Sequence, residues 1–310
     1  TFSSTGNSAF FGNLTAAKDY TSCLSNSTRG IVSGGRTPSA LNVIEYFTIA
    51  STGNSVDFGD LTAARHGPTS VSSPTRGLTA GGSFSDVIDT FEIATTGNST
   101  DFGNLTVARL GMYCGSNAHG GLNEGYQGTR ITPIPQGVGA GQRGIFTKGL
   151  GANLTFVTIS TTGNANDFGE AGFTGMGDGF SGSTRFHITK GYDGGGDNSI
   201  SYGVFSHLGN NADFGDLSVT RWNHAGAGNE TRGMIFGGEA PSTSNVVDFV
   251  VIATIGNASD FGDLSAARHT FGALASQTRA VTGGGAEPGN VNTMDYFTIA
   301  STGDASDFGD

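Results

Sequence analysis

The sequence predicts an all-β protein, a propeller of six four-stranded blades. Three observations carry that prediction: a phrase repeated at a near-constant period, four short apolar runs inside each period, and a composition rich in turn residues. The phrase is Thr52-Gly53-Asn54-Ser55-Val56-Asp57-Phe58-Gly59-Asp60-Leu61-Thr62-Ala63-Ala64-Arg65, and versions begin near Thr5, Thr96, Thr162, Leu208, Ile255 and Thr302. Its phenylalanine falls at positions 11, 58, 102, 168, 214, 261 and 308, spaced by 47, 44, 66, 46, 47 and 47 residues. A period of this size marks tandem supersecondary units that bury their apolar faces against one another.

Composition narrows the class further. Glycine supplies 53 of 310 residues without a triplet period, which excludes collagen. Hydrophobic residues make up 35%, charged residues 13%, and there are 22 Phe. A disordered chain carries more charge and fewer aromatics. The net charge is −11, with three Lys against 12 Arg and no basic cluster, so no nucleic-acid partner is expected. No apolar stretch approaches the length of a spanning helix, so no membrane insertion is expected. Thr1 opens no signal or transit pattern, and the missing initial Met reads as processing, trimming or an excerpt. Cys23 and Cys114 read as free, partly buried thiols in non-equivalent positions, too few for a disulfide framework or a zinc site.

The elements follow in order within one unit. Arg65-His66-Gly67 leads into a small-residue run over 68–73, then Thr75-Arg76-Gly77, an apolar trio and Gly81-Gly82. Next come Asp86-Val87-Ile88-Asp89-Thr90-Phe91-Glu92-Ile93, a turn at Thr95-Thr96-Gly97-Asn98, and Asp101-Phe102-Gly103. Short β-branched and aromatic runs bounded by Gly and Asn are strands. Arg29, Arg76, Arg143, Arg185, Arg232 and Arg279 each precede a glycine by six residues, and six such blocks predict six blades. Seven phenylalanine phrases leave one over, because residues 1–13 repeat 298–310; seven blades are the alternative. Along the third strand, period two puts Val43, Glu45, Phe47 and Ile49 on one face, with Asp89, Asp248 and Asp295 at the Glu45 position. We expect the six arginines to pair with these acids, since a partly buried guanidinium needs a partner. Phe58, Phe102, Phe168, Phe214 and Phe261 are expected as wedges between blades. The glycines serve tight turns and close approach of sheets. The whole chain, 1–310, reads as one propeller domain with an insertion over about 110–142 and redundant terminal strands.

The unit resembles the kelch repeat. The resemblance rests on the double glycine Gly81-Gly82, the aromatic Phe91 (Tyr46 and Tyr296 nearby in sister units), the further aromatic Phe102, Leu105, and Ala108-Arg109. Two departures mark it as divergent: Phe stands where kelch repeats usually carry Trp, and Lys148 and Lys190 replace the first glycine of the pair. Kelch implies four-stranded propeller blades and no particular activity. The wording Thr-Gly-Asn-x-x-Asp-Phe-Gly-Asp-Leu-Thr-x-Ala-Arg is also similar to repeat arrays in structural proteins of tailed bacteriophages, especially marine ones. That resemblance implies a tail-fibre, adhesin or capsid-decorating module at the virion surface.

Motifs that look chemical are absorbed by the repeat. Asp57-Phe58-Gly59 matches a kinase metal-binding tripeptide but occurs six times, and no blade-by-blade catalysis needs that. Gly194-Gly195-Gly196 lacks the surrounding strand–helix unit of a phosphate loop. Asp57 with Asp60, and Asp260 with Asp263, could gather Ca²⁺, but a turn in which Asp caps backbone N–H groups is preferred. No cofactor is expected. His66 and His269 occupy equivalent positions and read as structural. The candidate interaction loop is the insertion, with Met112, Tyr113, His119, Tyr126, Pro133 and Pro135, because long insertions on rigid scaffolds carry recognition. The expected function is a non-enzymatic virion protein for attachment or assembly, within a multi-subunit particle and in contact with other virion proteins or a host receptor or glycan. The alternative is an extracellular propeller that binds or cleaves glycans.

Overall fold

The computed structural model describes residues 5–116, 143–148, 151–175, 177–192, 197–239 and 241–310. The fold is all-β, a β-propeller of six four-stranded antiparallel blades, with no helix among the described residues. The blades span residues 22–60, 69–109, 114–170, 179–216, 225–263 and 272–309. In the first, β1 (Ser22–Ser25), β2 (Arg29–Ser33), β3 (Val43–Thr48) and β4 (Val56–Asp60) lie side by side in chain order. The other blades repeat this, and the sixth adds a small ribbon, Ala286–Glu287 against Gly289–Asn290, between its second and third strands. Residues 298–310 lie within the last blade. Residues 5–13, their sister copy, form no strand: Gly6 N donates to Phe308 O (2.6 Å) and Ser8 N to Asp310 O (2.8 Å).

The chain groups into two compact units. One, Phe10–Gly149 with Asn153–Gly169, holds the first three blades; the other, Thr1–Ala9, Leu150–Ala152 and Glu170–Asp310, holds the last three. Inside each unit the core sits between successive blades. Phe58, Leu61, Ile31 and Ile44 of blade 1 pack against Phe91 and Ile93 of blade 2. Phe102 and Leu105 of blade 2 pack against Phe146, Val157 and Ile159 of blade 3. In the other unit Phe214 and Leu217 meet Ile235, Val250 and Ile252, and Phe261 and Leu264 meet Ala280, Phe297 and Ile299. Phe168 is also buried, at 2% exposure.

The third strand departs from simple alternation. A bulge between Ile44 and Glu45 turns both residues inward, and the same irregularity recurs at Ile88/Asp89, Ile200/Ser201, Val247/Asp248 and Met294/Asp295. The extra residue re-aims the acid into the space between blades. That redirects the ion pairs. Asp89 takes Arg65, Asp248 takes Arg221 (3.0 Å), Asp295 takes Arg268 (2.9 Å) and Glu45 takes Lys18, all with buried side chains. The cation is therefore the last residue of the preceding phrase, and the expected pairing with Arg29 and its sisters is corrected. Those arginines do something else. Arg29, Arg143, Arg185, Arg232 and Arg279 lie over the third-strand rings of Tyr46, Phe156, Tyr202, Phe249 and Tyr296, 4.5–4.8 Å from their centres. Arg29, Arg76, Arg185 and Arg232 also donate to a carbonyl of the next blade: Ile93, Ile159, Ile252 and Ile299. A guanidinium half in water is satisfied by a ring face and carbonyls without a buried acid.

The phrase glycines mark where blades touch backbone to backbone. Gly256 N donates to Phe214 O (2.9 Å), and a Cβ built on Gly215 would stand 2.5 Å from Gly256 O. Gly215 also holds φ +140°, which disfavours any side chain. Gly215→Ala is expected to cost about 2–3 kcal/mol through overpacking and backbone strain. Urea unfolding measures it, and a cost below about 0.5 kcal/mol would mean the blades part freely there.

Candidate functional site

Two positions beside the constant scaffold vary from blade to blade and meet each other. The first follows the phrase cation: Asp19, His66, Leu110, Trp222 and His269 come after Lys18, Arg65, Arg109, Arg221 and Arg268. The second follows the glycine that ends the Arg-x5-Gly block: Arg36, Ser83, Tyr192, Glu239 and Ala286 come after Gly35, Gly82, Gly191, Gly238 and Gly285. Backbone bridges join the two at Asp19–Arg36, Trp222–Glu239 and His269–Ala286. In blades 1, 5 and 6 the end of the second strand and the entry to the first are thus clamped together, and in blade 2 Ser83 N donates to His66 O (2.9 Å).

In the last three blades these side chains form one polar and aromatic cluster. Glu239 accepts hydrogen bonds from Trp222 Nε1 (2.8 Å) and Asn223 Nδ2 (2.8 Å), and its other oxygen lies 3.9 Å from His269 Nε2. Tyr192, 48% exposed, packs on Trp222 with ring centres 5.1 Å apart. In the first three blades Arg36 donates to Asp19 Oδ1 (2.9 Å) and lies 4.4 Å over the exposed Tyr20 ring. Tyr20 meets His66 edge to face, and His66 Nδ1 bonds Ser83 Oγ (2.9 Å) beside Phe84, 73% exposed. Hydrogen bonding to Asp19 raises the Arg36 pKa further above its already high value.

Backbone strain gathers at the same place. Among the described residues the non-glycine residues with positive φ are Tyr20, Ser83, Phe84, Asn223 and Thr270, at 50–57°. Sister blades put Gly67 and Gly111 at the Tyr20 position. A left-handed Tyr or Thr costs of order 1–3 kcal/mol where glycine costs nothing, and such strain clusters at functional surfaces.

Behind this rim, blades 4 and 5 share a buried polar bridge. Asp178 accepts from Gly179 N and Gly226 N (both 2.8 Å), while Thr189 Oγ1 donates to Asp178 O and meets His224 Nε2 (2.6 Å each). Desolvation pushes the Asp178 carboxyl up to about 6, against the pull of its two N–H donors. Burial, aided by Arg221, holds His224 down to about 3. Lys190 pairs with Asp197 (2.7 Å), which Ser199 also bonds.

The residues singled out from sequence fall as follows. Met112 is corrected: it is 7% exposed and packs in the core with Phe102 and Phe146. The first strand of blade 3, Cys114–Ser116, precedes the insertion, so residues 114–116 belong to the blade and 110–113 connect it to blade 2. Tyr113 is exposed and pairs through its backbone with Thr147. His119, Tyr126, Pro133 and Pro135 lie outside the described residues. Cys23 and Cys114 form no disulfide and lie at the surface, although burial of its sulfur raises the Cys23 pKa; Cys114 Sγ accepts from Thr69 Oγ1 (3.0 Å) and donates to Ser70 O (3.1 Å). They are also equivalent, since each pairs with the residue three after the blade's repeated arginine, Val32 and Phe146. Asp101, Asp213, Asp260 and Asp307 accept from the backbone N–H two residues on, at Gly103, Gly215, Gly262 and Gly309. No group of three or more His, Cys, Asp or Glu among the described residues is placed to hold a metal ion. Neither a protein-family model nor a curated protein matches the chain.

Proposed function

We propose that the chain is a non-enzymatic recognition and assembly propeller, kelch-like in its repeat and displayed at a virion surface as a tail-fibre, adhesin or capsid-decoration module. The observation that carries this reading is the rim. The repeat keeps its wedge phenylalanines in every blade and its buried cation and acid in four of six, and changes the two rim positions at the blade ends. A scaffold whose exposed blade ends vary in polar and aromatic side chains, and which stores backbone strain there, is organised for binding. The buried acids of the repeat are committed to structural ion pairs, which leaves them no free role at the surface. The phrase's similarity to tailed-phage repeat arrays supports placement on a particle, among other virion proteins or against a host receptor.

The second reading is an extracellular glycan-binding propeller, favoured by Tyr192 on Trp222 beside Glu239, Asn223 and His269. Aromatic faces stack on sugar rings while carboxylate and amide groups bond hydroxyls. Tyr192→Ser and Arg36→Ser are expected to weaken adsorption to host cells or glycan-array binding at least tenfold with an unchanged melting temperature. Equal binding by parent and variants would reject the rim as the recognition surface. Mass spectrometry of purified particles tests the placement, and a chain absent from particles but active on glycans transfers support to the second reading.

A further inference from the structure

Cation and acid are retained together or lost together in every blade but one. Counting 13 residues back from each phrase phenylalanine gives Glu45, Asp89, Thr155, Ser201, Asp248 and Asp295. Seven residues after the preceding phenylalanine stand Lys18, Arg65, Arg109, Gly175, Arg221 and Arg268. Gly175 and Ser201 delete both charges of their pair. Arg109 keeps its charge while Thr155 supplies no carboxylate.

Arg109 sits where its sisters sit. Its Nη1 donates to Phe146 O (3.3 Å), as Arg221 Nη2 donates to Ile235 O (3.1 Å), and Phe146 and Ile235 are equivalent. Arg109 is 3% exposed and Thr155 is fully buried. Arg109 Nε and Thr155 Oγ1 have no hydrogen-bond partner among the described residues. Thr106 Oγ1 accepts from Arg109 Nη2 (3.3 Å), whereas its equivalents Thr62 and Ser218 spend their hydroxyls on Asp89 and Asp248. Burial lowers the Arg109 pKa only to about 10, so the guanidinium is charged at neutral pH. An uncompensated buried charge is among the costliest features a fold can hold.

We infer that a small monovalent anion of the chloride class binds between blades 2 and 3 against Arg109, Thr155 and Thr106, replacing the carboxylate present in sister blades. A ligand that binds only the folded state raises its stability with concentration and then saturates the site. Purified protein is melted in chloride-free sodium gluconate and then with rising sodium chloride at constant ionic strength. The melting temperature of the parent is expected to rise by about 3 °C or more and to follow a saturating curve. Thr155→Asp restores the sister arrangement, so it should melt above the parent in gluconate and ignore chloride. Arg109→Met, which removes the charge, should also ignore it. Bromide-soaked crystals should show anomalous density at Arg109. A parent indifferent to chloride, or a response undiminished in Thr155→Asp, overturns the inference.

Discussion

Acidification below about pH 6.5 is expected to cost the folded protein on the order of 4 kcal/mol by pH 4. His187 is 1% exposed, stacked on Phe180 (4.8 Å) and edge-on to Phe214 (4.7 Å), with Tyr202 behind it. Among the described residues no carboxylate pairs with it, and neither ring nitrogen has a well-formed hydrogen bond. Burial, with help from Arg185, lowers its pKa from 6.5 to about 3; the Phe180 backbone opposes this weakly. His224 is lowered to about 3 as well. Unfolded histidines take up protons below about 6.5, while these two stay neutral until about 3. The unfolded state therefore binds two more protons across that window, and stability falls as pH falls. Asp178 works the other way: its folded value of about 6 against 3.8 makes the folded state bind the extra proton between those values. It offsets one histidine there, leaving a slope of about 1.4 kcal/mol per pH unit, which steepens below pH 4. Sister blades carry Ile31, Leu78, Ile145, Met234 and Val281 at the His187 position. His187→Leu should therefore fold, and should gain about 3 kcal/mol on the parent between pH 7 and pH 4. Denaturant melts at the two pH values give the comparison, and parallel pH profiles for parent and variant would sink it.

What the sequence disclosed follows from how repeats carry information. Phe58 and its sisters were legible as wedges because seven copies place a large apolar ring beside an obligatory glycine. Blade number was legible because each blade contributes one Arg-x5-Gly block. The ion pairs were misassigned because spacing along one chain cannot say which neighbouring blade an acid faces. The bulge at Ile44/Glu45 decides that, and no residue type announces it. Met112 was misplaced because Cys114-Gly115-Ser116 is too short and weak a strand signal to separate blade from insertion. The rim was missed for a different reason. Repeat alignment draws the eye to what is kept, whereas Asp19, Trp222, Arg36 and Glu239 matter by differing. The residue after each repeated cation and after each repeated glycine was the available signal.

Removing one buried acid should separate the structural reading of the ion pairs from a decorative one. Asp248 is fully buried and accepts from Ser218 N (3.0 Å), Ser218 Oγ (2.6 Å) and Arg221 Nη2 (3.0 Å). Arg221 is equally buried, and burial lowers its pKa against the opposing pull of Asp248. Asp248→Ala leaves that guanidinium uncompensated and two donors unpaired, at an expected cost of about 3–5 kcal/mol. The pair as a whole contributes far less, because desolvating both charges consumes most of their attraction. Arg221→Met with Asp248→Leu should therefore recover most of the loss and leave the double variant within about 2 kcal/mol of the parent. A double-mutant cycle by urea unfolding reads the coupling directly. Additive losses, with the double variant worse than either single one, would show that the two side chains act independently and that the blades are held by their apolar faces alone. Asp248→Thr copies into blade 5 the combination that Arg109 and Thr155 already present. Its cost should lie below that of Asp248→Ala in chloride and approach it in gluconate, because a mobile anion compensates a buried cation only where a hydroxyl and free N–H groups help to hold it.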